Sequence, residues 1–277
     1  MASLRALRAF AKGTRTGKPF IGFGNPVFQK APTDPTNRGG KDQRVASNET
    51  VRGVSEYFRG AFGDVSALRH LAPLYDTADE LKGIAASLGA SANELILGAN
   101  ASETAVKSLS GSGRLAEYRV IAFATHGLVA GDIKGLAEPA LALTVPDEPT
   151  EADDGLLTAS EVATLKLNAD WVILSACNTA AGDKPGAEAL SGLARAFFYA
   201  GARGLLVSHW PVKSSAAVKL TTTAIAELKA HPEIGRAEAL RRAMLALMQD
   251  KSDPSNAHPA IWAPFMVVGE GGAEARR

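Results

Sequence analysis

Two short apolar runs end in side chains that can do covalent chemistry. Arg119-Val-Ile-Ala-Phe-Ala-Thr125 leads straight into His126-Gly127, and Trp171-Val-Ile-Leu-Ser-Ala176 leads into Cys177-Asn178. A thiol and an imidazole are the minimum set for nucleophilic acyl transfer. The thiolate attacks a carbonyl carbon, and the imidazole manages the proton that a leaving amine requires. Cys177 is the one cysteine in 277 residues. That excludes an intrachain disulfide and any multi-thiolate zinc or iron–sulfur site, and leaves either a packed apolar side chain or a nucleophile. Gly127 carries no side chain beside His126, so its N–H can approach a substrate oxygen and, with the N–H of Cys177, form an oxyanion hole. The alternative for Gly127 is a turn glycine at positive φ.

Such groups need elements that bring them to one place. Short, partly β-branched apolar runs at 20–23, 94–97, 119–125, 171–176, 204–209 and 265–268 read as buried strands. Between them lie segments of helical period: Leu81, Ile84, Ala85 and Leu88, stopped by Gly89; Leu190, Leu193, Ala194 and Phe197, ended at Gly201; Val218, Ile225 and Leu228 after a Ser214 cap; and Leu240, Ala243, Met244 and Leu247. Thr77 with Glu80, and Thr158 with Glu161, have the spacing of capping boxes. Alternating strands and helices predict an α/β chain, with a mostly parallel central sheet of about six strands and helices on both faces. Functional groups in such sheets gather at the carboxyl ends of strands. Parallel neighbouring strands would deliver His126 and Cys177 to the same edge. Residues 30–56 read as a surface loop, and residues 140–157 as a hairpin around an acidic, Pro-bearing turn.

Composition narrows the classes further. With 30 Lys+Arg against 29 Asp+Glu, net charge +1 gives no reason to expect nucleic acid as a partner. No apolar run approaches the roughly 20 residues that span a bilayer, and a cytoplasmic location is expected. The first 18 residues are basic and acid-free, mildly like a mitochondrial targeting segment but better read as a solvated helix start. Neither the GFG at 22–24 nor the GSG at 111–113 has the third glycine and following helix of a nucleotide-binding loop, so a nucleotide-processing enzyme is disfavoured. No cofactor is expected.

The histidine precedes the cysteine by 51 residues, and a small residue precedes the cysteine. Papain-like enzymes place the cysteine first, whereas caspase signatures share this order and spacing. The resemblance then becomes specific. The stretches AFATHGLV (122–129), EPALALT (138–144), DDGLLTASEV (153–162), VILSACNTAAGD (172–183), GAEALSGLARAFFYAGARGLLVSHWPV (186–212) and HPAIWAPFMVVGE (258–270) resemble the CHAT domain, a caspase-like cysteine peptidase family of clan CD often attached to tetratricopeptide repeats. GFGNPVF (22–28) resembles its opening strand. The resemblance implies a three-layer caspase–hemoglobinase fold, a His126/Cys177 dyad and hydrolysis of peptide bonds in a protein substrate. It also implies a repeat region or regulatory protein as partner. The expected division is a basic segment at 1–19, the peptidase domain at 20–270 and a polar tail at 271–277. A catalytically silent interaction module on the same fold is the alternative.

Substrate recognition falls on the segments around the cysteine and the next strand. Ser208, His209 and Trp210 would line the cleft, with Trp210 either a pocket wall or a core aromatic. A metal trio of His126, His209 and Cys177 lacks any other supporting ligand spacing. Cleavage after a basic residue needs a buried acid, and relatives with that preference often carry one two residues before the cysteine. Ser175 stands there, so Asp183, Asp153 or Asp154 would have to substitute. His258, Trp262 and Phe265 are expected to pack against the sheet.

Overall fold

A parallel strand with helices on both sides has apolar residues at successive positions, not at alternate ones. Val120–Ala124, Trp171–Leu174 and Gly204–Ser208 are buried at every position and form the centre of the molecule. The structure, a computed structural model, describes residues 17–29, 65–150, 152–175, 186–210 and 214–272, with the side chains of 186–191 and 214 outside that description. In chain order the elements are β1 (Lys18–Gly24), α1 (Val65–Leu68), α2 (Thr77–Leu88), β2 (Leu95–Leu97), α3 (Glu103–Gly111), β3 (Tyr118–Ala124), β4 (Gly127–Leu128), β5 (Ala140–Ala142), β6 (Leu156–Thr158), α4 (Ala159–Thr164), β7 (Trp171–Leu174), α5 (Gly186–Ala200), β8 (Gly204–Ser208), α6 (Ser214–Ala230), α7 (Gly235–Gln249), α8 (Pro259–Trp262) and β9 (Phe265–Gly269).

Six strands form the central sheet in the order β2-β1-β3-β7-β8-β9, with β9 alone antiparallel to its neighbour. This is the α/β, mostly parallel arrangement expected from the sequence. Strand alternation sorts the side chains between two cores. Ile121, Phe123, Val172, Leu174, Leu205 and Val207 face α3, α4 and α5. Val120, Ala122, Ala124, Trp171, Ile173 and Leu206 face α2, α6 and α7. On that second face α2 presses closely on β1: a Cβ at Gly24 would lie 2.6 Å from Leu81 Cδ1. The expected hairpin at 140–157 is the antiparallel pair β5–β6, joined by β4 into a small second sheet.

Three local expectations are corrected. Thr77 and Glu80 form no capping box: Asp76 is the N-cap residue of α2 without a side-chain cap bond. Thr77 Oγ1 instead donates to Leu74 O and accepts from Asn25 N, and Glu80 is turned into the core. His258 does not pack against the sheet; it is exposed, and its Nδ1 accepts the Ala260 N–H at the start of α8. Phe265 and Trp262 do pack there. The strand expected over 171–176 ends at Leu174, short of Ser175, and Ala176 lies outside the described residues. The Thr158–Glu161 capping box is present. The basic segment at 1–16, the loop at 30–56, the side chains of Leu190 and Ser214, and the tail beyond 272 lie outside the described residues.

Candidate functional site

His126 is the second residue beyond β3, at the carboxyl edge of the sheet. Its backbone is fixed from β5: Ala142 N donates to His126 O at 2.9 Å, and the Thr125 hydroxyl donates to the Ala142 carbonyl. The residue is 5% exposed, and its ring packs 5.5 Å from the Phe28 ring. Nε2 is 2.8 Å from the carbonyl oxygen of Ala72. A carbonyl only accepts, so Nε2 bears the proton in this bond and Nδ1 is left as the basic lone pair of the neutral ring.

Gly127 opens β4 and stands opposite Leu141. Because His126 O already accepts from Ala142 N, the Gly127–Leu141 pair is of the non-hydrogen-bonded kind, and the Gly127 N–H points away from β5. The glycine is in the extended strand and not among the residues at positive φ, so the turn-glycine alternative does not describe it.

The strand that leads to Cys177 is the direct parallel neighbour of the strand that leads to His126. Val120 pairs with Trp171, Ile121 with Val172, Ala122 with Ile173 and Phe123 with Leu174, an offset of 51 residues at every rung. Ser175 follows one residue beyond the last of these rungs. Cys177 and Asp183 lie outside the described residues.

Beneath Ser175, on the face covered by α2 and α6, sits a buried acid that sequence reading had assigned to a helix cap. Glu80 is 3% exposed and accepts from Thr221 Oγ1 at 3.1 Å. Thr221 has one hydroxyl proton, and Ala217 O competes for it at 2.8 Å. Ser175 is 5% exposed; its Oγ lies against the Glu80 carboxyl and favours its ionised form, yet completes no hydrogen bond of ordinary geometry. Burial dominates and pushes the Glu80 carboxyl up to about 7. Ser208 ends β8 on the same face as Ser175 and is fully enclosed. The signal for Glu80 was present: it falls in the stripe Thr77, Glu80, Leu81, Ile84 that α2 turns inward.

The remaining candidates separate. His209 N donates to Pro264 O at 3.0 Å, and its Nε2 abuts Met266 Sδ. Trp210 is 37% exposed, so it is not a core aromatic, and its Nε1–H donates to Ala260 O at 3.0 Å. Asp153 and Asp154 belong to another cluster, on the α3 side. Asp153 accepts the Thr104 hydroxyl, while Asp154 N donates to Glu103 Oε2 and Asp154 Oδ1 accepts from Leu156 N. Lys107 joins Glu103, Glu161 and the Ala152 carbonyl there, and burial pushes the Glu103 carboxyl up against the pull of that lysine. These acids tie the β5–β6 turn to α3; their described bonds do not reach Ser175 or His126. Among the described residues no group of three or more His, Cys, Asp or Glu could hold a metal ion, and no helix is long and apolar enough to cross a membrane.

A family model described as the CHAT domain matches residues 1–270. The chain belongs to the CHAT domain family. Among curated proteins, this CHAT domain is 29% identical over 164 residues to tetratricopeptide repeat protein 28 of Mus musculus, a match covering 52% of the chain and 6% of that protein. The protein of the same name from Homo sapiens is 32% identical over 118 residues, covering 41% of the chain and 4% of that protein. The chain therefore spans a small part of the length of these relatives. Among solved structures, the Arg specific cysteine proteinase gingipain R aligns with a TM-score of 0.44 at 12% identity, covering 72% of this chain and 43% of that one. That likeness is too distant to assign a role to any residue of this CHAT domain.

Sequence reasoning missed two members of this edge. Ala72 contributes only a backbone carbonyl, which no residue-type pattern announces. Thr221 reaches Glu80 across 141 residues of sequence, a pairing only the packing of α2 on α6 creates.

Proposed function

We propose that this CHAT domain is a caspase-like cysteine endopeptidase in which Cys177 is the nucleophile and His126 its acid–base partner. The observation that carries the reading is the β3–β7 register. Its offset of 51 residues equals the separation of His126 from Cys177 in the sequence, which supports their acting as a pair at the carboxyl edge of the sheet.

His126 Nδ1 accepts the thiol proton, and the sulfur attacks the carbonyl carbon of the scissile bond. The oxygen that becomes negative is held by the N–H groups of Gly127 and Cys177. His126 returns its proton to the leaving amine, and the bond to nitrogen breaks to leave a thioester. Water then attacks the thioester with His126 as base, releasing the acid product and the free thiol. The Ala72 carbonyl keeps the ring oriented throughout and stabilises the imidazolium.

The substrate is a protein or peptide bound in extended form past Ser208, His209 and Trp210. The names of the relatives support a tetratricopeptide-repeat region as the partner that governs access. Incubating the chain with a fluorogenic peptide library tests the reading. Turnover that is lost in both Cys177→Ala and His126→Ala supports it. A folded chain with turnover surviving in Cys177→Ala contradicts it, and an inert wild-type chain bound to a repeat partner would favour the silent interaction module.

A further inference from the structure

A carboxyl closed into the core between two hydroxyls stands next to the strand end that leads to the proposed nucleophile. We propose that Glu80 is a positioning residue for that nucleophile: neutral, it ties Ser175 at the end of β7 to Thr221 on α6, and ionised, it releases that end and turnover falls. The proposal rests on the His126/Cys177 reading, which is what makes the end of β7 matter to catalysis.

The number of protons decides how the three groups can bond. Glu80, Ser175 and Thr221 are all buried, so their partners have to come from one another or from nearby backbone. Thr221 Oγ1 lies 2.8 Å from Ala217 O, 3.3 Å from Val218 O and 3.1 Å from Glu80 Oε1, and has a single proton to give. The shortest contact assigns that proton to the Ala217 carbonyl, which can only accept. Thr221 Oγ1 is then an acceptor, and the proton between it and Glu80 has to come from the carboxyl. Ser175 Oγ lies against the same carboxyl and completes no other bond, so it is left to donate to the second oxygen. With its proton, Glu80 closes one directed chain from Ser175 through Thr221 to Ala217 O, joining the end of β7 to α2 and α6.

Without that proton the chain fails. The Thr221 hydroxyl has to turn from the α6 backbone to the carboxylate, and a full charge faces the apolar core of Leu81, Ile173 and Leu220. Among the described residues no cation answers it. On α2 itself Asp76, Asp79 and Lys82 are exposed. On α6, Lys219 is bonded to Asp250, Glu227 to Arg242 and Lys229 to Ser87 O. β1 and β3 meet α2 with Gly22, Gly24, Ala122 and Ala124, and β2 with Leu95 and Leu97. His126 and His209, at the same edge, are turned to Ala72 O and Met266. Burial therefore dominates and raises the carboxyl to about 7. Ionisation above that draws water between α2 and β7 and loosens the strand end two residues before Cys177.

Two substitutions separate the roles. Glu80→Gln keeps a donor and an acceptor but cannot ionise, so it mimics the neutral acid at every pH. Glu80→Leu fills the space and makes no bond. Hydrogen–deuterium exchange of the amides of residues 174–177 is measured in the full chain at pH 6 and pH 8.5, corrected for its intrinsic pH dependence. Beside it, kcat/KM is measured on a fluorogenic peptide. The proposal expects exchange in the parent to become about tenfold faster at pH 8.5, relative to amides 120–123 of β3. Glu80→Gln should show no such change, and Glu80→Leu should exchange fast at both pH values. Turnover should follow: the parent loses kcat/KM above about pH 7, Glu80→Gln keeps it, and Glu80→Leu is low throughout. Parent exchange that ignores pH overturns the proposal, as does an alkaline loss of turnover that persists in Glu80→Gln. Should Glu80→Leu not fold, the parent and Glu80→Gln decide alone. The expected exchange pattern with no turnover by the parent counts instead against the His126/Cys177 reading.

Discussion

His126 Nε2 lies 2.8 Å from the carbonyl oxygen of Ala72, a backbone atom of the segment between α1 and α2. The contact assigns the tautomer. In the neutral ring the proton is on Nε2, and Nδ1 is the base. Long-range proton–nitrogen NMR of the neutral imidazole should show Nε2 protonated. A ring protonated on Nδ1 would break the proposed route for the thiol proton.

Glu80 predicts a pH-dependent stability. Its carboxyl is raised from 4.5 to about 7 in the folded state by burial, against hydroxyl partners from β7's end and α6 that do not titrate. The unfolded chain therefore loses this proton first as pH rises, and stability falls between pH 4.5 and about 7, then levels. The shift corresponds to at most ~3 kcal/mol. Glu103 is pushed in the same direction, so the informative quantity is the difference between Glu80→Gln and the parent. In urea unfolding, the advantage of Glu80→Gln should grow from pH 5 to pH 7.5. An advantage independent of pH would mean that Glu80 is not held neutral.

At the opposite edge of the sheet, Asp170 accepts from Arg119 Nε at 2.8 Å and Arg203 Nη1 at 3.1 Å. Removing the buried partner leaves Arg203 under-compensated, so Asp170→Ala should cost about 3 kcal/mol of stability. Peptide turnover per folded molecule should stay within about twofold, because these groups stand at the amino ends of the strands. A selective loss of turnover without a loss of stability would contradict this division of labour.

Gly201 ends α5 at φ 113°, and a Cβ there would lie 2.3 Å from Leu167 O. The conformation and the close approach both exclude a side chain. Gly201→Ala should lower stability by about 2 kcal/mol or more in thermal or urea unfolding, whereas a cost under ~0.5 kcal/mol would mean the backbone relaxes freely.

The fold was legible where burial is written in composition. Continuous apolar runs marked the central strands, and Gly89 and Gly201 marked the ends of α2 and α5. The 51-residue spacing of His126 and Cys177 was visible as a number, but its meaning, an offset equal to the ladder register, required the pairing of β3 with β7. Glu80 was misread because Thr77 and Glu80 satisfy a local capping pattern, and tertiary packing overrode it by drawing both side chains inward. Ala72 was invisible because a carbonyl oxygen belongs to every residue. Trp210 stayed ambiguous until its exposure and its bond to Ala260 O placed it at the rim of the β8–α8 edge.

The central claim is tested most directly by covalent labelling. Cys177 is the one thiol in the chain, so a peptidyl acyloxymethyl ketone that adds to cysteine can report no other. Intact-mass spectrometry should show a single adduct on the wild-type chain, with the labelling rate falling about a hundredfold or more in His126→Ala. An equal rate in His126→Ala, with its fold intact, would contradict the dyad.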